Sequence, residues 1–125
     1  MIRTAIAPIL LATALSLLVA PAVAQPAPAA AGPDGKQIFD LQCGFCHNDD
    51  TMGPSLTGVH ERKIAAGGFE YSDSLKAKKE EAWTDANLDT WLANPKKFAP
   101  GTKMMIPVAN PDDRAALVAH LKTLK

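Results

Sequence analysis

Cys43-Gly44-Phe45-Cys46-His47 decides how the rest of the chain is read, and it holds the only two cysteines among 125 residues. Two cysteines three apart with a histidine directly after form the attachment pattern of c-type haem. On a helix, positions i, i+3 and i+4 share one face, so both thiols and the imidazole can reach one flat group. Thioether bonds from Cys43 and Cys46 would tether the porphyrin, and His47 would be its proximal iron ligand. A zinc or thiol-redox site is the competing use of these residues. It is poorly supplied, because no second cysteine pair exists and only His60 and His120 remain as further nitrogen ligands.

The chain length suits one domain. Its 13 Lys+Arg balance 13 Asp+Glu, so no global charge attracts nucleic acid. Residues 1–24 stand apart. Arg3 precedes an apolar run from Ala5 to Ala20, and Ala22-Val23-Ala24 supplies a small-residue cleavage pattern. This reads as a secretory signal peptide. The run also approaches the length of a bilayer span, so an uncleaved anchor is the alternative; Pro8 and the Ala-x-Ala site favour cleavage. Export, to the periplasm, suits the motif, since cysteines bound to haem are safe from disulfide exchange there. Cleavage removes Arg3, one of the 13 basic residues, and none of the 13 acidic ones, so the formal charge moves from zero to −1.

Residues 25–33 (QPAPAAAGP) are rich in proline and alanine and read as a flexible leader. The folded domain is expected over 34–125. Asp34 can cap a helix from about Gly35 to Cys46, with Gln37 in capping-box position. Residues 48–57 form a loop with a Gly53-Pro54 turn signal. A short helix is expected between Ser72 and Lys79. Thr84 caps a clearer one with Leu88, Trp91 and Leu92 on one face, ended by Asn94-Pro95. The last helix has Asn110 as cap, Pro111 at its first position and an apolar stripe of Leu117, Val118, Leu121 and Leu124. No strand pattern competes, so the chain reads as all-α.

An iron held by His47 keeps a sixth position. Met52, Met104, Met105, His60 and His120 are the candidates that the residues alone leave open. Trp83 through Met104 (WTDANLDTWLANPKKFAPGTKM) resembles the corresponding stretch of the mitochondrial-type class I cytochrome c family, including Asn94-Pro95-Lys96-Lys97 and Pro100-Gly101-Thr102-Lys103-Met104. The likeness runs from Gly35 to Leu124. It implies a small cytochrome c fold of four to five helices wrapped around one covalent haem, the first and last crossing. It also implies that His47 and Met104 are the axial ligands. A thioether raises the reduction potential relative to a second histidine, and two protein ligands favour electron transfer over oxygen chemistry.

By the same resemblance, Arg62, Tyr71 and Trp83 fall where the family places donors to the inner haem propionate, a carboxylate that needs such partners when out of water. Pro54 falls where a carbonyl accepts the Nδ1–H of the proximal histidine. Gly35 and Phe39 are expected to face Leu117 and His120 where the terminal helices meet. The chain departs from the family in a shorter loop from Asn48 to Met52, in Glu61 where a glycine is usual, in Trp91 where a tyrosine is common, and in Ile106-Pro107 after Met104.

The resemblance implies a periplasmic, single-haem electron carrier, not an enzyme. Its partners would be redox proteins that dock near Lys96, Lys97 and Lys103, with the carrier itself a monomer. Gln42 in place of a common lysine, and Asp49 and Asp50 nearby, predict weaker electrostatic steering than in strongly basic carriers. The alternative is a dedicated haem c subunit of a periplasmic dehydrogenase complex, and a further one is a gas-binding or catalytic haem protein with Met104 off the iron.

Overall fold

The computed structural model describes residues 31–125. The signal-peptide expectation for 1–24 and most of the leader lie outside the described residues. Within them are six helices: α1 (Gly35–Gln42), α2 (Gly44–His47), α3 (Asp73–Lys76), α4 (Asp85–Ala93), α5 (Pro95–Phe98) and α6 (Pro111–Leu121). Three of the six are single turns. Among the described residues, the extended backbone pairs only at an isolated antiparallel bridge between Lys63 and Ala82.

Five of the six helix starts, all but that of α2, are capped by a side-chain oxygen that accepts from an unpaired N–H. Asp34 accepts from Lys36 N at 2.9 Å and Gln37 N at 3.3 Å. Thr84 accepts from Asn87 N at 3.2 Å, and Asn110 from Asp112 N at 2.9 Å. α1 stops earlier than its sequence suggests. Cys43 N–H still bonds Phe39 O at 2.8 Å, but Cys46 N–H turns to Cys43 O at 3.1 Å. Cys43 sits at φ −112°, ψ −37°, off the helical line, and Gly44 behind it is a weak helix former. The attachment residues therefore stand on a fresh turn, α2, re-aimed from α1.

α1 packs against α6, and the approach depends on Gly35. A Cβ there would lie 2.0 Å from Ala116 O, so only glycine allows the two backbones to close. One turn on, the Phe39 and His120 rings meet at 5.3 Å between centroids. The buried core runs from Phe39 through Val59, Ile64 and Leu75 to Leu88, Leu92, Leu117, Val118 and Leu121.

The strand-like pairing has a specific consequence. Trp83 N–H donates to Arg62 O at 2.9 Å, and Glu61 N–H donates to Trp83 O at 3.1 Å. Two side chains 21 positions apart in the numbering are thereby held side by side. Glu61, which replaces a usual glycine, nonetheless keeps the left-handed backbone at φ +62°. For a residue with a Cβ that conformation costs about 1–2 kcal/mol.

Candidate haem-binding site

A cavity of about 360 Å³ opens between α2, the loop after it, α4 and the segment following α5. Its wall includes Cys43, Cys46 and His47 on one side and Thr102, Lys103 and Met104 on another, with Leu75, Leu88, Leu92 and Leu117 behind. Pro54, Arg62, Tyr71 and Trp83 line it as well. All eight residues that the sequence and the resemblance assign to the haem therefore border one cavity, as do Met52 and Met105, whereas His60 and His120 do not line it.

His47 is aimed by its second nitrogen. Its Nδ1 lies 2.8 Å from Pro54 O. A carbonyl only accepts, so Nδ1 carries the proton, and Nε2 keeps its lone pair for a metal. Gly53 makes the approach possible: a Cβ there would sit 2.7 Å from His47 Cε1 and 2.8 Å from Nδ1. Both cysteines are half-buried and unpaired with each other. Burial, and then the neighbouring Cys46, pushes the Cys43 thiol up. Reactive redox thiols need the opposite shift. Among the described residues, no three His, Cys, Asp or Glu side chains cluster to hold an ion, as a zinc site would require.

Arg62 carries the fit of the cofactor. Its two terminal nitrogens donate to Thr57 O at 3.0 Å and Ser55 O at 2.9 Å. Its Nε is buried without a partner. An unpaired buried N–H on a charged group costs about 1–3 kcal/mol or more, and a carboxylate at the cavity wall is the acceptor that removes the cost. An apolar cavity walled by two thiols, a tautomer-fixed imidazole, a thioether and an orphaned guanidinium N–H fits haem c.

Tyr71 lines the same cavity. Its single phenolic proton goes to Ala66 O at 2.9 Å, so its donor is engaged within its own loop. Burial pushes the phenol up, with Arg62 pulling less strongly the other way. Trp83 is buried in a cluster, its ring stacked on Phe98 at 5.7 Å and tilted to Trp91 at 5.5 Å. Lys78 Nζ lies 4.8 Å over the Phe98 ring. Trp91, where a tyrosine is common in the family, joins this cluster at the cavity wall.

Met104 is half-buried and packs against the core, whereas Met105 is 61% exposed. Two positioning features escaped the sequence reading. Thr102 is buried and accepts from Met104 N at 3.4 Å. Arg114 bonds Asp89 at 2.7 Å and the carbonyls of Val108 and Ala109 at 3.0 and 2.8 Å. It thereby clamps the segment after Met104 between α4 and α6. The Thr102 signal was present in the Pro-Gly-Thr-Lys-Met run; Arg114 had none, since two of its partners are backbone carbonyls.

The cytochrome c family profile matches residues 33–125. Cytochrome c of Tetrahymena pyriformis is 42% identical over 94 residues, covering 72% of this chain and 85% of that one. Cytochrome c of Guizotia abyssinica is 39% identical over 103 residues, covering 77% and 92%. Among solved structures, cytochrome cH from Methylobacterium extorquens superposes with a TM-score of 0.66 at 38% identity, over 73% of this chain and 99% of that one. Ferricytochrome c2 from Rhodopseudomonas palustris gives 0.66 at 36%, over 74% and 100%. With the cavity, the attachment residues and these likenesses in agreement, the chain belongs to the cytochrome c family, as an electron carrier with covalent haem c and not an enzyme.

Proposed function

We propose that this cytochrome c is exported and serves as a soluble, single-haem periplasmic carrier between two redox proteins, with His47 and Met104 as its axial ligands. One observation supports the ligation most directly: the Nδ1–H of His47 donates to Pro54 O at 2.8 Å, which leaves Nε2 free towards the cavity that Met104 also lines. When bound, haem c supplies a one-electron ferric–ferrous couple. The chain's part is to hold Cys43 and Cys46 at the wall, fix the imidazole tautomer, offer a soft thioether and exclude water with the apolar floor of Leu75, Leu88 and Leu92. Arg62, and with it Trp83, would hold a propionate inside.

Export rests on residues 1–24, read as a cleaved signal peptide ahead of a leader over 25–33 and a domain over 34–125, and on the bacterial neighbours named above. No described helix is long and apolar enough to cross a membrane. Lys96, Lys97 and Lys103 are exposed and would orient partners weakly, given Asp49 and Asp50 nearby.

Absorption spectra of the mature protein in both oxidation states test the reading. Covalent haem bands and the ferric sulfur–iron charge-transfer band are expected. Met104→Ala loses that band and Met105→Ala keeps it; the reverse result assigns the wrong methionine here. N-terminal sequencing of the periplasmic fraction should begin at Gln25.

A further inference from the structure

The cavity wall that carries Met104 is a loop fastened at its two ends. Upstream, Ala99 N–H donates to Pro95 O at 2.9 Å and Thr102 N–H to Ala99 O at 3.1 Å, with Ala99 and Thr102 both buried. Met104 N–H itself reaches only Thr102 Oγ1, at a long 3.4 Å. Downstream, the next backbone bond is that of Val108 N–H to Leu92 O at 2.8 Å. Residues 105–107 hydrogen-bond to no described residue. On this side, Met104 is therefore kept at the wall by whatever grips residues 108 and 109.

Leu92 stands in the last turn of α4, where a carbonyl has no partner in its own helix, so it can take the Val108 N–H. Arg114, near the start of α6, supplies the rest of the grip. Its Nη1 donates to Val108 O at 3.0 Å and Ala109 O at 2.8 Å, and its Nε to Asp89 Oδ1 at 2.7 Å. Asp89 precedes Leu92 by three positions, so both α4 contacts lie on one face of that helix. The two partners differ in their contact with water: the Arg114 side chain is 14% exposed and that of Asp89 52%. Removing Arg114 leaves two carbonyls without this donor, one of them on buried Val108. Removing Asp89 leaves those bonds within reach but takes away the carboxylate that aims the guanidinium. Neither residue lines the cavity, so each acts on it only through the segment after Met104.

We propose that Arg114, aimed by Asp89, is the positioning residue that keeps Met104 on the iron and the sixth position shut to outside ligands. The proposal rests on the reading of Met104 as that ligand and adds what controls its release. With the grip intact, the loop seldom opens, and a small neutral nitrogen base such as imidazole reaches the iron slowly. With the grip loosened, the Met104 segment leaves the wall more often, and a closed electron carrier becomes a ligand-binding haem protein. The exchange is a substitution: a sulfur–iron bond breaks, a nitrogen–iron bond forms, and no electron is transferred.

The test mixes the ferric holoprotein with imidazole in a stopped-flow instrument and follows the loss of the sulfur–iron charge-transfer band. Arg114→Gln should raise the limiting rate at saturating imidazole about tenfold, the factor that one hydrogen bond to a charged group is worth. Asp89→Ala removes a half-exposed side chain, so it folds even if Arg114→Gln does not, and should raise the rate about threefold. The double variant should match Arg114→Gln alone, because Asp89 acts through Arg114. Arg114→Lys should restore only part of the closure, since one ammonium cannot replace a guanidinium fork that spans a carboxylate and two carbonyls. Amide hydrogen exchange at Val108 is a readout away from the iron, and it should quicken in the same order. Gly58→Ala, strained at φ +64° elsewhere in the chain, should lower stability without speeding imidazole entry. A parent that shows the band, with Arg114 and Asp89 variants that match it in imidazole rate and Val108 exchange, overturns the proposal alone. So does a Gly58→Ala rate as fast as that of Arg114→Gln, which would make the effect one of general stability. Additive effects in the double variant overturn the role given to Asp89. A parent that lacks the band and takes up imidazole within the mixing time overturns the Met104 reading, and the proposal with it.

Discussion

Gly53 leaves so little room around His47 that one methyl group tests the aim of the imidazole. A Cβ at that position would lie 2.7 Å from Cε1 and 2.8 Å from Nδ1, so in Gly53→Ala the ring must shift away from Pro54. A weaker Nδ1–H bond makes a less basic ligand. The expected outcome is a holoprotein destabilised by about 1–3 kcal/mol in thermal unfolding and a more positive midpoint potential in redox titration; an unchanged potential would show that the Pro54 bond does not tune the ligand. At this scale the sequence was informative where one side chain meets one named neighbour. His47 and Pro54 were expected together and stand 2.8 Å apart. That carbonyl was named through the family resemblance; the sequence was silent on the other backbone carbonyl partners. Ser55 O and Thr57 O take both terminal nitrogens of Arg62, and Ala66 O takes the Tyr71 proton. A carbonyl belongs to every residue, so no residue type announces it.

Elements were legible through their caps. Thr84, Asn110-Pro111 and Asp34 each begin a helix as read, since their oxygens meet the first free N–H groups. Asn94-Pro95 ends a helix as read, and it does a second thing as well. It ends α4, but Asn94 Oδ1 also accepts from Lys97 N at 3.0 Å and Pro95 opens α5. A dipeptide that stops one helix is equally suited to start the next. The packing of α1 on α6 gives a prediction that separates sterics from backbone strain. Gly35→Ala drives a Cβ to 2.0 Å from Ala116 O, a backbone atom that cannot rotate aside, so the two helices must separate. A loss of about 3 kcal/mol is expected in denaturant unfolding of the holoprotein. Gly58→Ala is the control: its φ is +64° with nothing within 4 Å of the added carbon, so it bears only the left-handed penalty of about 1–2 kcal/mol. Equal losses in the two variants would mean that close helix approach is not what Gly35 provides.

Over the whole molecule, Asp85 ties three parts of the chain together at the surface. Its two oxygens accept from Lys122 Nζ at 2.6 Å, after the end of α6, and from His60 Nε2 at 2.7 Å, in the loop leading to Arg62. Asp85 itself begins α4. The Lys122 bond, and next the His60 bond, hold its carboxyl below the ordinary value of 3.8. A carboxylate depressed by folding stabilises the native state above its unfolded pKa, and the contribution disappears as pH falls through the folded value. The thermal midpoint of Asp85→Asn should therefore lie below that of the parent at pH 7, and the gap should hold down to about pH 5 and close progressively below about pH 4. Because both bonds are exposed to solvent, the gap should also narrow as salt is raised. A gap that persists undiminished at pH 2 would show that Asp85 acts as a helix-start hydrogen-bond acceptor, which asparagine replaces imperfectly at any pH, and not as the charged tie between α4, α6 and the Arg62 loop.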